Sequence, residues 1–523
     1  MDYRELWKAL RYPGLDLEYI QRYRYELERT AEKILEFLAN ESVGLIAPAG
    51  SGKTIVAILV ALARGGRNVF CVPFEYLTDQ QHFVMQRMGI TMPTRAVDGS
   101  TIPVRRTWET WNEQIFFVTP GVIVNDLKSG KLIMDASWLL TLDELDLARG
   151  DYPYVELAQL CAQRGVRTLG LTATLDERYE RPRQVLRDCR ITRVIHADFD
   201  MPPLTESKIT LPLTKELALC RDRLKGMLVD NGRELQRSGI HIDPEVILTI
   251  AELDDLSDRH ERADHKRVGW KSTKSALARY YKLRHAYVTA LTGTYHSFIR
   301  FAKKLEVQAA TTEEWRGNMA AQKIIIDARF KRALKVARGN LHDHPKLRWL
   351  LKVAESHARM HRPFLVYTNL RETTEYYAEQ LNWRGICAEA VFGGRSNRKR
   401  LLESVQRLRD GKLLALVSTS VLDRGLNLPE IRTVINLSMP QTKETREQRG
   451  GRANRLQSGS SILVAIDDPI DTLWFWVTKT YPMKPELPAT VRWLLGTPPR
   501  KGERPRRRKQ RDTATLPLFE AYA

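Results

Sequence analysis

Ala47-Pro48-Ala49-Gly50-Ser51-Gly52-Lys53-Thr54 is the stretch on which the reading of this chain turns. The apolar run Val43-Gly44-Leu45-Ile46 leads into it and a helix-forming run, 55–63, leads out, so it is a glycine turn joining a strand to a helix. Gly50 and Gly52 let backbone N–H groups turn inward around an anion, where a Cβ would stand in the way. The helix that starts there adds a partial positive charge. In such a turn Gly50, Ser51 and Gly52 cradle the phosphates of ATP, Lys53 reaches the β- and γ-phosphates, and the Thr54 hydroxyl ligates Mg2+. Ala47 stands where the usual pattern opens with glycine.

Working outward, Asp143-Glu144-Leu145-Asp146 lies about 90 residues further on, at the carboxyl end of the apolar run 138–142. An acidic turn after a strand is common; after a phosphate loop it acquires a role. Asp143 holds nucleotide-bound Mg2+ and Glu144 takes the proton of an attacking water. Both stretches end strands, where open α/β sheets bind ligands. Further strands are predicted at 43–47, 68–72, 115–119 and 166–171, alternating with amphipathic runs such as 22–38.

The prolines of Asp198–Pro203 mark a hinge. From 204 to 345 strand-like runs become scarce and long helices are predicted, at 275–305 and 320–337 among others. Alternation returns with strands at 364–368, 388–392, 413–418, 433–437 and 461–465. The predicted fold is α/β: a nucleotide-binding parallel-sheet domain (1–203), an all-helical insertion (204–345), a second parallel-sheet domain (346–466), a small aromatic-rich extension (467–497) and a basic, disordered tail (498–523).

Composition sets outer bounds. With 43% hydrophobic and 28% charged residues the chain is globular, which excludes wholesale disorder. No run approaches ~18 apolar residues and the amino terminus lacks an apolar signal core, so a soluble protein of the cytoplasm or nucleoid is expected. Cys71, Cys161, Cys189, Cys220 and Cys387 are scattered and suggest neither zinc nor disulfides. The net charge of +20 is concentrated: twelve Lys/Arg against three Asp/Glu fall between Asp258 and Lys304, and eight against one between Arg500 and Arg511. Such local excess points to nucleic acid as partner, or else to a solvated helix face and an unstructured tail. In the first stretch Arg267, Lys271 and Lys274 interleave with Trp270, Tyr280 and Tyr281, a pattern that serves phosphate contact and base stacking or simply packs a helical core.

With these residues in view the chain resembles the superfamily-two (DExD/H) helicases and translocases. Residues 47–54 look like their motif I and Asp143–Asp146 like motif II. Thr172-Ala173-Thr174 is similar to motif III, which implies coupling of hydrolysis to domain closure. Val72-Pro73 with Leu77 and Gln80 resembles motif Ia, and Thr119-Pro120-Gly121 resembles motif Ib; the resemblance makes Pro73, Thr119, Pro120 and Gly121 contacts to a nucleic-acid strand. In the second domain, which the resemblance makes RecA-like as it does the first, 364–371 fits motif IV. Residues 418–429, with Thr419 as a further strand contact and Asn427 where many members have Asp, fit motif V. Gln448-Arg449-Gly450-Gly451-Arg452-Ala453-Asn454-Arg455 is similar to motif VI, so Gln448, Arg452 and Arg455 are expected to act in catalysis, the two arginines by neutralising charge on the transferring phosphoryl group.

A helical insertion followed by His344-Pro345-Lys346-Leu347 resembles the arrangement of archaeal Hef, its fork-remodelling relatives and the innate-immune double-stranded RNA helicases, where the insert grips duplex. The resemblance implies an ATP- and Mg2+-dependent DNA helicase or translocase acting on duplex or branched DNA in replication, recombination or repair. An RNA remodeller and a nucleic-acid-binding ATP switch subunit are the alternatives. Thr515-Leu516-Pro517-Leu518-Phe519 resembles the peptide with which bacterial repair proteins dock on the sliding clamp, Thr515 replacing its glutamine; folding back onto the body is the alternative.

Overall fold

The computed structural model describes residues 23–87, 92–100, 103–178, 180–248, 250–262, 270–310, 315–423, 426, 428–440, 442–454, 457–468 and 470–471. Arg267, Arg424, Gly425, Asn427, Arg455, the aromatic-rich extension beyond 471 and the tail with its Leu516–Phe519 peptide lie outside the described residues.

The first sheet has seven strands, all parallel, in the order β3-β4-β2-β5-β6-β1-β7: β1 (Val43–Ile46), β2 (Asn68–Cys71), β3 (Thr94–Val97), β4 (Ile115–Val118), β5 (Leu139–Leu142), β6 (Arg167–Thr172) and β7 (Arg193–His196). Strand alternation divides the apolar residues between two faces. Val43, Leu45, Phe70, Phe117, Leu139 and Leu169 pack with helices α1 (Arg24–Leu38) and α2 (Lys53–Arg64). On the other face Val69, Cys71, Phe116, Leu140 and Leu142 pack with α4 (Pro120–Lys128) and α5 (Pro153–Ala162); α3 (Glu75–Arg87) precedes β3. α1 is amphipathic, burying Leu27, Ala31, Ile34 and Leu38, whereas α2 buries every residue from Val56 to Leu62 as befits a central helix. A buried pair, Arg106 and Asp126 at 2.9 Å, joined by the Trp111 indole N–H at 3.1 Å, ties the loop after β3 to α4.

α6 (Glu180–Asp188) precedes β7, and the hinge leads into β8 (Leu204–Leu211). β8 corrects the predicted organisation: the helical segment does not begin at 204, because this strand pairs in parallel with β13 along its full length. The second sheet runs β10-β11-β9-β12-β13-β8, again all parallel, with β9 (Phe364–Tyr367), β10 (Ala388–Val391), β11 (Ala415–Ser418), β12 (Thr433–Asn436) and β13 (Gly459–Ile466). Its helices are α13 (Pro345–Arg359), α14 (Arg371–Trp383), α15 (Arg398–Arg409) and α16 (Lys443–Gly450).

His344-Pro345-Lys346 forms the start of α13. His344 Nδ1 accepts the Lys346 N–H at 3.3 Å, Pro345 occupies the first turn, and the fully buried Lys346 ammonium donates to Asp471 Oδ2 (2.8 Å), the Leu437 carbonyl (2.7 Å) and the Thr292 carbonyl (3.3 Å).

A separate compact unit comprises 214–291 and 295–341 among the described residues. Its described elements are the helices α7 (Lys215–Arg237), α8 (Ile250–Arg262), α9 (Trp270–Val288), α10 (Tyr295–Ala310), α11 (Trp315–Ile326) and α12 (Ala328–Gly339). Both long predicted helices are broken. The first is interrupted by one π turn at Thr289–Gly293, the second where the Asp327 carboxylate accepts the Arg329 N–H at 2.7 Å and caps a new helix. Tyr280, a candidate for base stacking, is core: its hydroxyl accepts from Leu248 N and donates to the Val246 carbonyl, both at 3.2 Å. Among the described residues no helix is long and apolar enough to cross a membrane.

Candidate active site

The glycine turn closes tightly on itself. Gly50 and Gly52 have φ of 84° and 80°, the left-handed region that a side chain resists, and α2 starts directly after them. Lys53 Nζ donates to the carbonyls of Ala47 (3.0 Å) and Pro48 (2.9 Å), so the ammonium lies across the mouth of the loop. Ser51 is fully buried and its Oγ finds no partner among the described residues. Thr54, at the second position of α2, is half-buried.

Asp143 and Glu144 leave β5 two strands away from β1. The turn after β5 is unusual: Glu144 has φ 54° and ψ 56°, a conformation that costs about 1–3 kcal/mol for a residue with a Cβ. It is held there by its own N–H on Asp143 Oδ1 (3.1 Å) and by Tyr154, whose hydroxyl bridges the carbonyls of Asp143 (2.8 Å) and Cys71 (3.0 Å). Tyr154 carried no sequence signal; it reaches the turn from α5. Burial, reinforced by the Glu144 charge, pushes the Asp143 carboxyl up to about 7 against the pull of Lys53. Burial also lowers the Lys53 ammonium below its ordinary value, opposed by Glu144, Asp143 and Asp146. These groups therefore sense one another as a single charge cluster.

Thr172-Ala173-Thr174 connects the two turns. The Thr172 carbonyl accepts the Ala47 N–H at 3.1 Å, and its hydroxyl donates to Asp146 Oδ1 at 3.3 Å while accepting from Thr174 N at 3.3 Å. Direct hydrogen bonds through Thr172 thus link the acidic turn to the phosphate-loop turn.

The second sheet contributes α16 and the residues after it. Gln448 Nε2 donates to Glu144 Oε2 at 3.2 Å, bringing the predicted catalytic pair together. Arg149, just past the acidic turn, meets Glu444 at 2.8 Å. Gly451 touches the phosphate loop: a Cβ added there would lie 2.6 Å from Ala49 Cβ and 3.1 Å from its carbonyl oxygen, so only glycine allows this approach. Arg452 is buried, donates to the Leu426 carbonyl, and its charge is felt at Lys53. Arg449 is committed elsewhere, to Asp423 (2.8 Å) and Asn436 (3.2 Å), with its guanidinium 4.5 Å from the Tyr367 ring centre. A cavity of about 530 Å3 beside the Gly451–Ala49 contact is lined by Ala47, Pro48, Ala49 and Ala173 and by Glu447, Gly451 and Asn454.

The residues present fit a nucleoside triphosphate with Mg2+. Besides Ser51 Oγ, the buried atoms Thr174 Oγ1 and Gln448 Oε1 find no partner among the described residues, which leaves polar capacity in three of the motifs lining the cleft.

Of the expected strand contacts, Pro73 and Thr119 follow the adjacent strands β2 and β4, paired in register at Cys71 and Val118. Pro120 begins α4, and the backbone at Gly121 faces open space. Thr419 follows β11, and two residues further on the Val421 carbonyl accepts from the Tyr76 hydroxyl of α3 at 3.3 Å. In the helical unit Lys274 is half-buried on α9, and of Lys271 only its backbone place on that helix is described. Arg279 and Arg284 of the same helix are spent internally, on Asn231 with Glu234 and on the Leu248 carbonyl respectively.

Comparison with known proteins agrees with this architecture. The DEAD/DEAH box helicase family matches residues 28–181 and the helicase conserved C-terminal domain matches 345–457. Over 458 residues the chain is 24% identical to the ATP-dependent DNA helicase mph1 of Neurospora crassa, covering 80% of this chain and 39% of that protein. A putative ATP-dependent DNA helicase, fml2 of Schizosaccharomyces pombe, is also 24% identical, over 82% of this chain and 59% of its own length. The chain therefore spans roughly two to three fifths of these relatives. The helicase domain of Pyrococcus furiosus Hef superposes with a TM-score of 0.60 at 24% identity, covering 90% of this chain and 99% of that one. The DUF1998 helicase MrfA, solved bound to DNA, superposes with a TM-score of 0.53 at 14% identity over 90% of this chain and 55% of its own.

Proposed function

The chain belongs to the superfamily-two DExD/H helicases, and from that premise we propose that it is an ATP-dependent DNA helicase or translocase acting on duplex or branched DNA in recombination, repair or replication. The observation that carries the reading is the Gln448–Glu144 hydrogen bond, which makes the base of one α/β domain depend on a side chain of the other.

In this reading the turned backbone of Gly50, Ser51 and Gly52 and the start of α2 bind the phosphates, and Lys53 swings from its own loop carbonyls to the terminal phosphates. Thr54 and Asp143 hold Mg2+. When bound there, Mg2+ would supply positive charge to offset that of the phosphate oxygens. Glu144, fixed in its left-handed turn and aimed by Gln448, accepts the proton of the attacking water at its carboxylate. Arg452, with Arg455, brings positive charge from the second domain to the transferring phosphoryl group. Because those arginines arrive only when the domains meet, turnover drives relative domain motion, passed through Thr172, Ala173 and Thr174 to strands gripped near Pro73, Thr119, Pro120, Gly121 and Thr419. Arg267, Lys271 and Lys274 of the helical unit add duplex contacts. The names of the relatives support DNA over RNA. Leu516–Phe519 would serve as a docking peptide for a sliding clamp, tested by clamp pull-down with Leu518→Ala/Phe519→Ala.

The test is steady-state ATP hydrolysis alone and with single-stranded, duplex and forked DNA and double-stranded RNA, with Lys53→Ala as blank. Stimulation of at least about tenfold by forked or duplex DNA is expected, the scale of a complete against an incomplete catalytic set. Stimulation by RNA alone would replace the DNA reading, and none by any polymer would overturn it.

A further inference from the structure

We propose that Arg398 is a phosphate-binding residue for the nucleic-acid strand, and that Asp79 and Asp98 occupy its guanidinium as internal stand-ins for that phosphate. The inference rests on the nucleic-acid-dependent reading above and adds a contact outside the motifs that suggested it.

Arg398 begins α15 in the second α/β domain. Its Nη1 donates to Asp98 Oδ2 at 2.8 Å and its Nη2 to Asp79 Oδ2, both in the first domain. Asp98 follows β3 and is preset by Ser100, whose N–H reaches its Oδ1 at 2.8 Å; Asp79 lies on α3, six residues beyond Pro73. Two carboxylate oxygens on one guanidinium fork reproduce what a phosphodiester offers: anionic oxygens at hydrogen-bond distance from separate N–H groups.

The location favours exchange. Beside this pair Tyr76 reaches Val421, two residues past Thr419, and Phe74 stacks on Tyr76 with ring centres 5.5 Å apart and an angle of 7°. The acids thus lie beyond the carboxyl ends of β2 and β3, Asp79 on α3 and Asp98 just after β3, near Pro73 of the segment expected to track the strand. Lys399 and Arg400, next in sequence, are exposed and among the described residues carry no carboxylate of the first domain, so the start of α15 already presents positive charge to solvent. Exposure separates the Arg398–Asp79 pair from the fixed ones: Asp79 is 59% exposed and Arg398 21%, with Asp98 behind them at 9%, whereas Arg449 and Asp423 are 3% and 7%. A pair open to water contributes little and is screened by salt, so a strand phosphate displaces it; a buried pair resists.

The predicted consequence is competition. Asp79→Asn/Asp98→Asn releases Arg398 without changing shape, and affinity for a fluorescein-labelled forked DNA at low salt should tighten by roughly threefold or more. Arg398→Gln should weaken it by roughly tenfold, the scale of one charge-assisted hydrogen bond, and reduce the log–log salt slope by about one. In the Arg398→Gln/Asp79→Asn/Asp98→Asn protein the gain should vanish. An equal gain in that background would mean that the acids act only by general repulsion and would overturn the proposal. Unchanged affinity and salt slope in Arg398→Gln would overturn it too. Failure of the unaltered protein to bind the fork at any salt would instead sink the DNA reading itself, and this proposal with it.

Discussion

Asp143→Asn should stabilise the metal-free protein while destroying its activity. The Asp143 carboxyl titrates near 3.8 when exposed and is pushed up to about 7 in the fold by burial first and by Glu144 second. At roughly 1.4 kcal/mol per pH unit, ionised Asp143 costs the fold about 4 kcal/mol, net of its attraction to Lys53, and a gain on that order is expected. The sign follows from proton binding. Between pH 4 and 7 the native state holds a proton that the unfolded chain has lost, so native stability falls as pH rises through that window. Asparagine does not titrate and keeps an oxygen for the Glu144 N–H. The variant should therefore match the unaltered protein near pH 4, gain on it steadily, and level off above about pH 7. The readout is amide-exchange protection, corrected for intrinsic rate at each pH, in peptides spanning Val43–Ile46 and Leu139–Leu142 with EDTA present, which reports this domain alone in a multidomain chain. Mg2+ with ATP should then raise protection in the unaltered protein and not in the variant. A stability difference that is flat between pH 5 and 8, or an unaltered protein more stable at pH 8 than at pH 5 in these peptides, would refute the charge-cluster argument.

Two further outcomes follow from contacts already described. Gly451→Ala should lower DNA-stimulated turnover by on the order of a hundredfold while nucleotide affinity changes little, because the new methyl displaces Arg452 from the loop by about the ångström that such catalysis does not tolerate; parallel turnover and fluorescent-nucleotide binding would check it. Lys346→Met should cost about 3–5 kcal/mol, since it strands the Asp471 carboxylate and the Leu437 carbonyl in the interior; exchange protection in peptides over Thr433–Asn436 would measure it, and a loss below about 1 kcal/mol would contradict the burial of that ion pair.

What the sequence made legible is physical in origin. Interior strands were readable because both faces are covered, which forces uninterrupted apolar runs such as Ile115–Val118 and Phe364–Tyr367. The strands that escaped prediction are β3, β7 and β8, each at a sheet edge. Their sequences, Thr-Arg-Ala-Val, Arg-Val-Ile-His and Leu-Thr-Glu-Ser-Lys-Ile-Thr-Leu, satisfy one neighbour and water on the rest, so no apolar run marks them, and the loss of β8 moved a domain boundary. Helix breaks were missed for a different reason: Asp327 caps through a single carboxylate in an otherwise continuous periodic run. In the candidate site, residues whose chemistry dictates a spacing were legible, Lys53, Asp143, Glu144 and Gln448 among them. Residues that act by shape or through one distant partner, such as Tyr154 and Arg398, leave no local pattern to read.

The distribution of ion pairs explains how such a chain could move without loosening. Among the described residues the pairs with both partners buried lie inside one α/β domain: Arg106 with Asp126 at 2% exposure each, Arg449 with Asp423, and Lys346 with Asp471. Each is expensive to break because the partner left behind stays buried, so each domain is held as a body. Pairs that join the first domain to the second are less completely buried: Arg149 is 37% exposed opposite Glu444, and Arg398 is 21% exposed opposite Asp79 and Asp98. Contacts of that kind are worth about 0–1 kcal/mol and yield to salt, phosphate or a shift of the backbone. The Gln448–Glu144 bond belongs with them, reaching the catalytic turn from the other domain through a neutral amide. A joint of few contacts, each with a neutral or partly hydrated partner, between two bodies held by buried pairs is suited to open and close with each nucleotide, and the Thr172 hydrogen bonds link the acidic turn to the phosphate loop inside the first body.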